Sequence, residues 1–151
     1  MQWHCFVWRA GSIMNFENSL NCGKSKKVMI NRNRALSLIN SSIQAIKTAK
    51  TIPLNEITSK TILRELYEGF REYCEALGYL NGYKFLDHES IGFFLRDILK
   101  ENYIFKKFDR YRKLRNGVNY YGNDIEIVTI KEMLADIPKL IKDLKKHSDF
   151  N

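Results

Sequence analysis

Between positions 110 and 122 the chain reads Arg-Tyr-Arg-Lys-Leu-Arg-Asn-Gly-Val-Asn-Tyr-Tyr-Gly, and nowhere else do arginine, asparagine and tyrosine gather at helical spacing. At about 100° per residue, Arg112, Arg115, Asn116 and Asn119 fall on one arc. Ile104, Tyr111, Leu114 and Val118 fall on an adjoining apolar arc, and Phe105 and Phe108 extend the polar one toward its N-terminal end. A guanidinium offers a planar fork of donors that matches phosphate oxygens. Asparagine adds neutral donors and acceptors, and tyrosine a hydroxyl and a stacking face. Such a patch suits a phosphodiester or a nucleotide phosphate. The same arginines have an equally good structural use, pairing with a glutamate of a neighbouring helix. Gly117, in mid-helix, costs about 1 kcal/mol relative to Ala and marks either a close approach or an irregular helix end.

The elements that must position this patch are read from apolar periodicity. Val28, Ala35, Leu38, Ile39, Ile43, Ile46 and Ala49 predict a helix over 26–50, stopped at Ile52-Pro53. Ile62, Leu63, Leu66, Phe70, Tyr73 and Leu77 predict a second over 59–80, capped by Ser59, with Glu65, Glu68, Arg71, Glu72 and Glu75 on much of its other side. Tyr67, Tyr73 and Tyr79 read as core or rim aromatics. A shorter helix over 88–101 follows, capped by Asp87 or Ser90 and opened by His88, which reads as a capping or packing residue before it reads as a base. The Arg-Asn stretch belongs to a helix over 103–120. Thr129 to Glu132 reads as a capping box opening a last helix over 130–147, which Pro138 should kink. Lys139, Lys142, Lys145 and Lys146 complement that helix's dipole. Four longer helices and one shorter one, each with an apolar stripe and short connections, predict an all-α, up-and-down bundle. Residues 25–151 make the bundle. Residues 1–24 have no clear period and read as a partly disordered N-terminal extension. Met14 is an alternative start, which would make residues 1–13 an upstream addition.

Composition bounds the chemistry. The 151 residues suffice for one domain with a real core. The formal net charge of +8 favours an anionic partner such as RNA, DNA, a nucleotide or an acidic protein. The three cysteines, Cys5, Cys22 and Cys74, have neither Cys-x-x-Cys spacing nor a histidine at ligand spacing, so no metal site, cofactor or disulfide framework is expected, and a reducing, cytoplasmic setting fits. No apolar run reaches the roughly 20 residues of a membrane span, and Arg9 follows the N-terminal apolar residues, unlike a signal peptide. Gly23-Lys24-Ser25 is not a phosphate loop, because Asn18 stands where that motif needs glycine.

The order of helices, with His88 opening the third and the Arg-Asn stretch leading toward the fifth, resembles the HEPN domains of prokaryotic proteins over about residues 26–147. Those domains carry Arg, four to six residues, then His, often with a polar residue after the Arg and with Tyr two residues after the His. Arg115-Asn116 matches the start of this motif, but four residues on stands Tyr120. Counted from Arg112, six residues lead to Asn119, and Asn119-Tyr120-Tyr121 imitates the His-x-Tyr ending. His4, His88 and His147 all lie outside the motif. The resemblance implies a helical, dimeric module. It implies Arg115, Asn119, Tyr120 and Tyr121 as a degenerate catalytic set, while the net charge and the residue patch mark Arg112, Arg115 and Asn116 as RNA or phosphate ligands.

Asparagine takes up no proton near neutral pH, and an unperturbed tyrosine, pKa about 10, gives none up. Losing a general acid or base costs about 10²–10⁴ in rate. The expectation is therefore a homodimeric domain that binds RNA or a nucleotide phosphate with weak or absent cleavage. Two other functions follow from the same resemblance. One is a metal-independent ribonuclease or toxin of a toxin-antitoxin system. The other is a non-catalytic interaction subunit of a nucleotidyltransferase.

Overall fold

The computed structural model describes residues 14–149; the proposed upstream addition, residues 1–13, lies outside them. The described chain is mostly helical. Its elements are α1 (Phe16–Asn21), β1 (Ser25–Lys27), α2 (Arg32–Thr51), α3 (Ser59–Leu80), β2 (Tyr83–Phe85), α4 (His88–Asp97), α5 (Asn102–Tyr121) and α6 (Ile127–Leu144), closed by a 3₁₀ turn over Lys145–His147. None of these helices is long and apolar enough to cross a membrane.

The 22-residue α3 is the axis of the fold. It packs against α2, α4, α5, α6 and β2. Its apolar residues cover more than one face, as a helix surrounded by neighbours requires. Ile62, Leu63, Leu66, Tyr67, Phe70, Cys74 and Leu77 are all fully buried. The burial reaches Glu72, only 8% exposed, although its place in the sequence assigns it to the polar side. Burial raises its pKa, opposed by a hydrogen bond from Ser41. Cys74 is a free thiol whose pKa burial also raises. Cys22 is disulfide-bonded, although no disulfide framework is expected of the three cysteines.

Two pieces depart from the predicted elements. Lys26 and Lys27 belong to β1, so α2 begins at Arg32, with Asn31 accepting from the Arg34 amide. β1 pairs antiparallel with β2, with Ser25 opposite Phe85 and Lys27 opposite Tyr83. The second departure is α1, a helix where the sequence shows no period. Asn15 caps it, and Phe16, 1% exposed, sits in the core. Its ring lies 4.9 Å from Tyr83 and 5.7 Å from Phe94. The sheet closes over α3 at Gly78, where a Cβ would stand 2.8 Å from Cζ of Phe85, so only glycine admits that ring.

The helix ends correct two capping expectations. Asp87 does cap α4, accepting from the Ser90 amide at 2.9 Å. Thr129 and Glu132 do not form a capping box. α6 starts earlier, at Ile127, with Glu126 at its N-cap and no side-chain cap, and Glu132 pairs with Arg110. Nor is Ser59 a side-chain cap; its hydroxyl donates to the Glu56 carbonyl. α6 runs on through Pro138, and the predicted span past Leu144 is 3₁₀.

Candidate functional site

α5 presents the Arg-Asn stretch. Ile104, Phe108, Tyr111 and Val118 anchor it in the core. Tyr111 donates to Asp136 at 2.5 Å and Lys107 pairs with the same carboxylate, tying α5 to α6. The helix ends on Gly122 in the left-handed region (φ 64°), whose amide bonds the Gly117 carbonyl. The Asn123 side chain folds back over Gly117, 2.8 Å from where a Cβ would stand. The glycine thus admits a close approach, by a side chain, at the point where the helix stops.

The predicted site residues separate into two groups. Arg115 is half-buried, donates to Asn116 Oδ1 at 3.2 Å, and lies over the Tyr67 ring at 5.4 Å and the Tyr120 ring at 5.9 Å. Among the described residues it has no carboxylate partner. Arg112 turns to Asp109 at 2.7 Å, and this pairing holds the Asp109 carboxyl below its usual range against the cost of its burial. Its buried Nε has no hydrogen-bond partner, and leaving such a donor unpaired is costly.

The imitation of the His-x-Tyr ending does not hold in space. Asn119 Oδ1 accepts from Arg64 Nε at 2.8 Å. Tyr121 is 79% exposed. Tyr120, 69% exposed, is drawn in only through its contact with Arg115.

Histidine does reach this neighbourhood, from a part of the chain outside the motif. The Asp87 cap fixes His88 in the first turn of α4, and His88 Nδ1 lies 2.9 Å from the Tyr67 hydroxyl. Burial of the Tyr67 hydroxyl raises its pKa, outweighing the opposing pull of Arg115, Arg71 and Arg112. Tyr67 therefore keeps its proton, and its hydroxyl shares a hydrogen bond with His88 Nδ1. Burial, followed by the charges of Arg71 and Arg115, lowers the His88 pKa to about 4. Arg71 itself is held by Glu68 and Glu75.

The cluster is thus a neutral His88–Tyr67 pair under an arginine with no carboxylate partner. Phosphate oxygens can be received by Arg115 and by the Asn116 amide. Proton transfer is poorly served, because a neutral imidazole bonded through Nδ1 has little basicity near pH 7 and Tyr67 is a weaker acid than usual. Sequence reasoning missed Tyr67, Arg71 and His88 as neighbours of Arg115; only the Asp87 cap hinted that His88 has a fixed place. No group of His, Cys, Asp and Glu among the described residues is arranged to hold a metal. A groove of about 470 Å³ beside α5 is lined by Lys106, Arg110 and Lys113, and does not include Arg112, Arg115 or Asn116.

Comparison with known proteins found no matching family model, no matching curated protein and no matching solved structure.

Proposed function

We propose that this chain is a HEPN-like up-and-down helical bundle, acting as a homodimer, that binds RNA or a nucleotide phosphate through Arg112, Arg115 and Asn116 with weak or absent cleavage. One observation carries the reading. The Arg115 guanidinium is half-buried between Tyr67 and Tyr120, and no carboxylate among the described residues neutralises it. A half-buried charge without a counter-ion is a poor stabilising device and a good anion ligand. The net charge of +8 supports it.

Filter binding with a single-stranded RNA across a salt series tests the proposal. Arg115→Ala weakens binding and lowers the salt slope by about one phosphate contact. Absence of affinity, or affinity unchanged in Arg112→Ala/Arg115→Ala, removes the proposal.

A second reading, the metal-independent ribonuclease or toxin, draws on His88 beside the arginines. Under it, growth arrest on expression disappears in both Arg115→Ala and His88→Ala. Intact RNA after incubation with rigorously purified protein counts against it.

A further inference from the structure

A second feature lies away from the arginines. α2 and α6 each pack on α3, yet they meet one another only sparsely. Between them lies an open groove of about 600 Å³. Leu36, Ile39 and Ile43 line one wall, at steps of three and four residues. The sequence pattern places Ile39 and Ile43 on the buried stripe of α2. Ile43 is instead 46% exposed, and Leu36 50%. Pro138 and Ile141 line the α6 wall, and Tyr73, bonded to Ser148 at 2.9 Å, completes the lining from α3.

The rim is one-signed. Lys47 and Lys50 stand on α2, and Lys142 and Lys145 on α6 and the turn after it. None of the four has a carboxylate partner among the described residues, whereas the neighbouring Lys146 is paired with Glu101 at 2.9 Å. An apolar floor between two helices, walled at helical spacing, accepts the apolar face of another helix. The unpaired lysines on both banks select an acidic one.

We propose that this groove docks an acidic amphipathic helix of a partner protein. The helix sets its apolar side chains on Leu36, Ile43 and Ile141. Its carboxylates meet Lys47, Lys50, Lys142 and Lys145. None of these residues belongs to the Arg115–His88 cluster, so the two proposals stand separately.

Fluorescence anisotropy tests it with a labelled synthetic helix of about four turns, carrying leucine at helical spacing and glutamate elsewhere. A second peptide carries lysine in place of glutamate. Saturable binding of the glutamate peptide is expected, falling with salt, with none for the lysine peptide. Lys142→Glu/Lys145→Glu should weaken it about tenfold. Ile43→Glu, an exposed position checked by circular dichroism, should abolish it. No binding of the glutamate peptide, equal binding of both peptides, or binding indifferent to these variants overturns the proposal. So does a groove that takes dodecanoate and not the peptide, which would be a site for lipid-like anions.

Discussion

The Tyr67 hydroxyl and His88 Nδ1 lie 2.9 Å apart, joining the middle of α3 to the first turn of α4. This bond holds the His88 imidazole under the influence of Arg71 and Arg115. Tyr67 is fully buried and Arg115 covers its ring, so one aromatic side chain connects the histidine to the arginine patch. An imidazole in this position is held neutral by its surroundings. It becomes useful for proton chemistry only if something anionic offsets the guanidiniums.

That neutrality sets a pH dependence of stability. The folded pKa of His88 is about 4, against about 6.5 for an unfolded histidine. Between these values the unfolded chain binds more protons, so stability from this group is present above pH 6.5 and is lost as pH falls toward 4. The loss is at most about 3–4 kcal/mol. Urea unfolding at a series of pH values should show it. His88→Gln should flatten the curve in that window while leaving the steeper loss at lower pH, where the low-pKa carboxylates Asp97, Glu101 and Asp109 are protonated.

The long helices were legible because most of each apolar stripe is buried where α2, α5 and α6 pack on α3, with Ile43 of α2 as an exception. The predicted span 59–80 coincides with α3; Ile104, Tyr111 and Val118 of α5 and Met133, Ile137, Leu140 and Leu144 of α6 are buried as predicted, whereas Leu114, Leu134 and Ile141 are half-buried and Phe108, placed on the polar arc, is in the core. The short elements were not legible. Three-residue strands carry too little pattern to distinguish β1 from the start of a helix, and their pairing depends on residues far apart in sequence. The arginine patch was visible as a helical arc. Its histidine was not, because the docking of α4 on α3 brings it there and no local spacing encodes that contact. The apparent substitute, Asn119, instead bonds Arg64.

The two apparent caps give opposite expectations. Asp87 accepts from the Ser90 amide, so Asp87→Ala should cost about 1 kcal/mol. Thr129 lies inside α6 and caps nothing, so Thr129→Ala should stay within about 0.5 kcal/mol of the parent. Thermal unfolding of both variants decides between the observed start of α6 and the sequence-predicted one. A loss at Thr129 equal to that at Asp87 would return the helix start to the capping box.

Phe16 tests how far the folded unit extends. It lies in the part of the chain read as an extension, yet its ring packs against Tyr83, Phe85 and Phe94. Its amide donates to Asp97 at 2.8 Å, fastening α1 to the end of α4. Phe16→Ala should cost about 3–5 kcal/mol, the usual range for a buried phenylalanine. Denaturant unfolding at constant m-value measures it. A cost below about 1 kcal/mol would mean that residues before β1 contribute little to the core.

Phosphate binding and histidine protonation should be linked. The charges of Arg71 and Arg115 help depress the His88 pKa, and an anion held by Arg115 offsets them. Saturating a short RNA, or a nucleoside monophosphate, should therefore raise the His88 pKa from about 4, read from the imidazole resonances by NMR. Arg115→Gln should raise it in the free protein as well, because one of the depressing charges is gone, and should remove most of the further rise on adding ligand. Binding should then be tighter at pH 5 than at pH 7, because linkage is reciprocal. Ligand that binds without moving the His88 resonances would place its phosphate away from Arg115.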